Sequence, residues 1–204
     1  MEILETQEQI HEAAHGGHGE HGGHEGGGKK YVAIMISLLA CLLALIEAGV
    51  NSSQNAYVAS NIEASNLWAF FQAKSIRQTS METAADMMEA MKPIDLAAEQ
   101  SAVWQKRIAD WRAKAQRYES EPEKGEGRKE LSARAKAAEE RRARYFAAYH
   151  MFEYGAAAVQ IAIVLASASV VTGAVALVYG AAGLGVVGVA FGLLGWLAPT
   201  LIHL

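Results

Sequence analysis

Apolar positions are distributed along this chain in two ways. Tyr31–Val50 is an apolar run with a single charged residue, Glu47, near its far end, and Tyr154–Ile202 contains no charged residue at all. Between them the apolar residues recur every three or four positions instead of running together. Crossing the hydrocarbon core takes about 20 apolar residues. The first run therefore predicts one transmembrane helix over 29–50. The last stretch predicts two, over 154–178 and 186–204, with the turn at Tyr179–Gly185 (YGAAGLG). The expected fold class is an all-α membrane protein with three transmembrane helices. An extramembrane, coiled-coil-like helical domain at 51–153 separates the first two.

Inside that domain Val58, Ile62, Ser65, Ala69, Ala73, Ile76, Ser80, Ala84, Met87 and Met91 follow three- and four-residue spacing. This is the pattern of a helix with one packed face, and Trp68, Phe70 and Phe71 would broaden it. Lys92-Pro93 ends the helix, because the residue before proline is pushed out of helical geometry. A second helix follows with Leu96, Val103, Ile108, Trp111, Ala115 and Tyr118 on one side. Ser120–Lys129, with a proline and two glycines, is a loop. Leu131–Tyr149 is rich in strong helix formers and should run without a break into the second span. The chain leaves and re-enters the same membrane face, so three equal vertical legs cannot close. The simplest arrangement is a long outgoing helix with the later helices returning against it in stages.

Charge is segregated. The net charge of −4 comes from residues 1–28, which hold six Glu and no Lys or Arg, while residues 48–154 are nearly balanced. Nothing points to nucleic acid; the expected surroundings are the lipid bilayer. The single cysteine, Cys41, lies within the first apolar run, so no intrachain disulfide can form. The glycine-rich tail carries His11, His15, His18, His21 and His24. Imidazole is a common metal ligand, so these are candidate ligands for Zn, Ni or Cu, against the plainer reading of a solvated low-complexity tail. No other cofactor is expected. Lys29 and Lys30 before the first span favour a cytoplasmic N-terminus, whereas Arg141, Arg142 and Arg144 before the second pull the other way. Long loops translocate largely regardless of charge, which weakens the second signal more.

The candidate chemistry lies at the membrane boundary. Glu47 is near the exit of the first span, His150 and Glu153 are near the entrance of the second, and Gln160 is further into it. Both boundaries lie on one side of the bilayer, so these groups are expected to meet as an interfacial polar cluster that binds a proton or cation. The competing reading has the carboxylates reach headgroups or pair with an arginine such as Arg144. Trp68, Phe70, Phe71 and Ile76 are expected to serve helix packing or oligomer contacts, as are Gly188 and Gly192, a GxxxG pair that lets helices approach in lipid. Glu63 and Asn66 are candidates for hydrogen bonds to a neighbouring helix. The chain has no GxSxG, P-loop or CxxC pair, and no catalytic residue is assigned.

The segment NIEASNLWAFFQAKSIRQT resembles the shared motif, ASxxWAxxQAKSI, of a family of small bacterial membrane proteins catalogued as a domain of unknown function. The match is carried by Ala64, Ser65, Trp68, Ala69, Gln72, Ala73, Lys74, Ser75 and Ile76. The resemblance extends over most of the chain and implies the same three-span layout and no known activity; the expected location is the bacterial inner membrane. In that family the turn between the last two spans is often basic; here Tyr179–Gly185 is neutral. The resulting expectation is a non-enzymatic, oligomeric scaffold or accessory subunit of a larger membrane complex. The alternative is a metal- or proton-handling membrane protein using the tail and the interfacial cluster.

Overall fold

A computed structural model describes residues 26–95 and 97–201. It consists of four helices: α1 (Gly26–Ala90), α2 (Ala98–Glu119), α3 (Arg128–Thr172) and α4 (Val175–Leu197). Three of them, α1, α3 and α4, are long and apolar enough to cross a membrane. No strand occurs among the described residues, and the protein is an all-α membrane protein.

The first helix continues from the apolar run through the polar segment without interruption. Its 65 residues make a rod of about 100 Å at the α-helical rise. It stops just before Lys92-Pro93, where the last amides close back as Met91 N–H to Met87 O and Lys92 N–H to Glu89 O. The return is staged. α2 packs on the distal part of α1 and α3 on the proximal part, while α2 and α3 make few contacts with each other. The Trp104 indole donates to Met88 O at 2.7 Å, and Arg112 pairs with Asp86 and Glu89. Ile108 and Ala115 are buried on α2. Val103, expected on the same side, is exposed, and Leu96 lies outside the described residues.

Two points differ from the sequence expectation. The hairpin between the last two apolar helices turns at Gly173-Ala174, not at Tyr179–Gly185, which lies inside α4. Gly173 adopts φ +70°, a left-handed conformation that suits glycine, and its N–H bonds Ser169 O at 2.9 Å. The glycines of 179–185 suggested a turn, yet within an apolar helix glycine is a packing residue: a Cβ on Gly185 would stand 2.9 Å from Leu39 Cδ2. The second difference concerns the face of α1. Its buried side is formed by Ser53, Ser60, Ala64, Leu67, Lys74 and Ala85. The expected seam points away from the rest of the chain, with Val58, Ile62, Ile76, Met87 and Met91 exposed. The partner helix α3 presents mainly alanine, so close approach favours small residues on α1 as well, and the larger apolar side chains lie opposite.

Two cores result. In the extramembrane domain Ala64 and Leu67 pack on Leu131, Ala135 and Ala138, flanked by Trp68 and Phe71. In the membrane bundle Leu39 and Ile46 pack with Phe152, Ala156, Val159, Ala162, Ala166 and Ala181.

Candidate functional site

Phe152 holds the three apolar helices together near the end of the first apolar run. Its ring is wedged between Gly49 of α1 and Gly195 of α4, where an added Cβ would come within 2.8 and 3.1 Å of it. Below this wedge, Gly188 faces Val159 so closely that a Cβ would meet its Cγ2 at 2.3 Å, and Gly192 faces Ile46. Both glycines of the GxxxG pair are thus turned toward helices of the same chain. Around the wedge lies an aromatic group. Phe146 meets His150 edge-on at 4.4 Å between ring centroids and Tyr57 at 5.2 Å, and Tyr154 meets Phe191 at 5.9 Å. Tyrosines such as Tyr57 and Tyr154 are enriched where a helix leaves the bilayer.

The interfacial polar residues divide into two pairs instead of one cluster. His150 Nδ1 lies 3.2 Å from Glu153 Oε2, and the Tyr149 hydroxyl donates to Glu153 Oε1 at 3.0 Å. That hydrogen bond raises the Tyr149 pKa above the ordinary phenol value, because ionisation would place two negative charges together. Glu47 is engaged elsewhere: Gln160 Nε2 donates to its Oε1 at 3.4 Å. Helical side chains lean toward their own N-terminus. Glu47 on the outgoing helix therefore leans into the bilayer and Gln160 on the returning one leans outward. They meet partway between their backbones, whereas His150 and Glu153 lean away toward the headgroups. Similar depth along the two helices therefore does not bring Glu47 to His150 and Glu153, which bond each other. Arg144 joins neither pair.

A second constellation lies where α1, α2, the loop and α3 converge. Lys74 is buried at 6% exposure. Its ammonium lies 3.6 Å from Glu126 and 3.9 Å from Glu121, and 5.3 and 5.5 Å from the Phe70 and Tyr118 ring centroids. Beside it Arg128 donates to Gln78 at 2.7 Å and Glu119 at 3.0 Å, with its guanidinium over Phe71. Glu130 accepts from the Ser120 hydroxyl at 2.7 Å and the Glu121 N–H at 3.2 Å. The Ser120 hydrogen bond, followed by backbone N–H groups, lowers its carboxyl pKa. The Arg117 hydrogen bond, aided by the Lys124 charge, does the same for Glu121 against partial desolvation. Gly127 is required by this crowding, since a Cβ there would fall 2.2 Å from the Glu130 carboxylate. The arrangement is a clamp in which Lys74 and Arg128 are each ion-paired, although Arg128 Nε is buried without a hydrogen-bond partner among the described residues. Lys74 belongs to the WAFFQAKSI segment, and its signal in the sequence is a single lysine on a helix face otherwise formed by small and apolar residues.

Of the aromatic candidates, Trp68 and Phe71 pack on the extramembrane core, and the Trp68 indole donates to Glu139 at 2.9 Å. Phe70 holds the Lys74 ammonium, and Ile76 is 68% exposed. Glu63 bonds Arg141 at 2.7 Å. His11, His15, His18, His21 and His24 lie outside the described residues. Residues 11–15 read His-Glu-Ala-Ala-His, the HExxH order of zinc-binding helices. Gly183–Gly188 likewise spells GxGxxG, but it lies inside α4 with no strand before it, so it lacks the strand–turn–helix setting of a dinucleotide site.

Compared with known proteins, residues 28–198 match a family model described as a domain of unknown function (DUF4337). No curated protein and no solved structure matches the chain.

Proposed function

We propose a scaffolding role for this chain, which belongs to the DUF4337 family. In this reading it is a non-enzymatic subunit of the bacterial inner membrane with a cytoplasmic N-terminus, assembled with copies of itself through the outer face of α1. The observation that carries the proposal is the exposed stripe Val58, Ile62, Ile76, Met87 and Met91, spaced in threes and fours with Ser65, Ala69, Ala73, Ser80 and Ala84 between. Such spacing suits a helix–helix seam, and the chain's own helices pack on the opposite side. The bilayer supports a homomeric partner. It holds every copy at one height and in one orientation, so a neighbouring stripe arrives parallel and in register. The junction around Lys74 supports a structural role for the domain, because its ion pairs tie α1 and α3 to the α2–α3 loop and the end of α2.

Cysteine cross-linking in native membranes tests this reading. With Cys41 replaced by alanine, Ile62→Cys and Ile76→Cys should each give a disulfide-linked dimer, whereas Ala85→Cys on the inner face should not. Ile62→Glu with Ile76→Glu should reduce the assembly to monomers without melting the helical domain. A monomeric native mass for the unmodified chain would sink the proposal. Elemental analysis of the full chain and of a chain lacking residues 1–25 tests the metal-handling alternative separately. The assembly should survive removal of the tail whether or not the tail carries metal.

A further inference from the structure

Beside the Phe152 wedge, two cavities share a wall. One, of about 450 Å³, runs down the outside of the bundle between α1 and α4 and is lined by apolar side chains including Leu42, Leu45, Ile46, Val189 and Leu193. The other, of about 460 Å³, opens above it toward the helical domain and is lined by Ser52, Ser53, Arg141, Arg144 and Tyr145. Gly49, Ser52, Phe152 and Trp196 border both, making one continuous groove with an apolar floor and a cationic mouth. Leu42 lies about two helical turns below Gly49, roughly 10 Å deeper along α1. The apolar part therefore descends among acyl chains, while the mouth opens at headgroup level.

One of the two charges at the mouth is uncompensated. Arg141 is paired with Glu63 at 2.7 Å and Arg142 bonds Asn61 at 3.3 Å. Arg144 has no hydrogen-bond or ion-pair partner among the described residues, and no carboxylate lines the mouth. Several other cations of the domain, among them Arg77, Lys106 and Lys136, also form no ion pair with the described residues; Arg144 is set apart by its place at the mouth of the groove. Trp196, 80% exposed, stands over the groove as an aromatic wall at the interface. A guanidinium matches phosphate oxygens in a bidentate fork.

We propose that this groove binds one anionic phospholipid from the leaflet facing the helical domain, with an acyl chain along Leu42–Ile46 and Val189–Leu193 and the phosphate at Arg144. The apolar floor distinguishes such a lipid from a free anion, and the cationic mouth distinguishes it from a zwitterionic lipid. The site stands on observations separate from the α1 stripe and does not depend on self-assembly.

Native mass spectrometry of the full chain released from dodecyl maltoside tests the site, with added dioleoyl phosphatidylglycerol, dioleoyl phosphatidylcholine or inorganic phosphate. Phosphatidylglycerol should be retained in preference to phosphatidylcholine. Arg144→Gln, at an exposed position, should lower that preference about fivefold, the usual effect of one basic side chain at an anionic surface. Arg134→Gln, elsewhere on α3, should leave it unchanged. Leu193→Trp, filling the floor, should reduce retention of phosphatidylglycerol. A photoactivatable acyl chain should label Leu42–Gly49 or Val189–Trp196, a readout that needs no variant to fold. Equal retention of the two lipids, an unaffected Arg144→Gln, or labelling elsewhere on the bundle would overturn the proposal. So would displacement by inorganic phosphate at matched concentration together with undiminished retention in Leu193→Trp, which would mark a simple anion site.

Discussion

The two ends of α3 solve the same packing problem in different solvents. Both press an alanine face against α1: Ala135 and Ala138 in the extramembrane part, Ala156, Ala162 and Ala166 in the membrane part. What surrounds that face differs. Outside the bilayer it is flanked by Leu131, Trp68 and Phe71, with Trp68–Glu139 and Arg141–Glu63 bonds at its edge. Inside, glycine supplies the approach, and Phe152 fills the gap between Gly49 and Gly195. Water drives apolar side chains together by burial, so a large residue such as Leu131 contributes through the area it removes from solvent. Lipid offers no such drive, and association depends on close contact between backbones. One helix thus carries a burial-driven core and a contact-driven core in series.

That contrast can be broken at either end. The largest effect is expected from Leu131→Ala, at a site with no exposure, which should cost the extramembrane domain about 2–5 kcal/mol. Chemical denaturation followed by the fluorescence of Trp68, Trp104 and Trp111 would measure it, while packing of the α3–α4 hairpin should be unaffected. Gly188→Val should do the reverse. Overpacking against Val159 should cost about 1–3 kcal/mol, read as faster proteolysis near the hairpin with an unchanged domain transition. Trp68→Phe keeps most of the ring but removes the indole donor to Glu139; a loss of about 1 kcal/mol is expected in the same denaturation experiment.

The smallest effect concerns acid. The native Glu130 carboxyl lies below its ordinary value of 4.5. Its contribution to the junction is therefore fully present above that value and lost as pH falls through the lowered native pKa. The protection of the Glu121 amide against exchange, relative to its intrinsic rate at each pH, should fall only under that acid condition in the native chain. In Glu130→Gln the protection should already be lower at neutral pH and lose the acid step.

Much of this architecture is legible in the sequence because the strongest signals are covalent or compositional. Proline at 93 ends α1, and the charge-free ending marks the hairpin. The need to return to one membrane face implies the staged packing of α2 and α3. The turn at Gly173 was hidden because a single left-handed glycine after Ser-Val-Val-Thr looks less like a break than the glycine-rich stretch that follows it. The buried face of α1 was hidden for a related reason. Hydrophobic periodicity marks the face carrying large apolar residues, and here the chain buries Ser53, Ser60, Ala64 and Lys74 instead. The groove beside Phe152 has no linear signature at all, since its lining comes from three helices far apart in sequence.

The continuity of α1 also has a mechanical meaning. No loop or hinge separates its membrane segment from the roughly 60 Å of helix beyond the bilayer. A change in span tilt of about 10°, well within the range that transmembrane helices sample, would sweep the distal end sideways by about 10 Å. Changes in bilayer thickness would thus be converted into displacement at the far tip of the rod, where α2 begins its return.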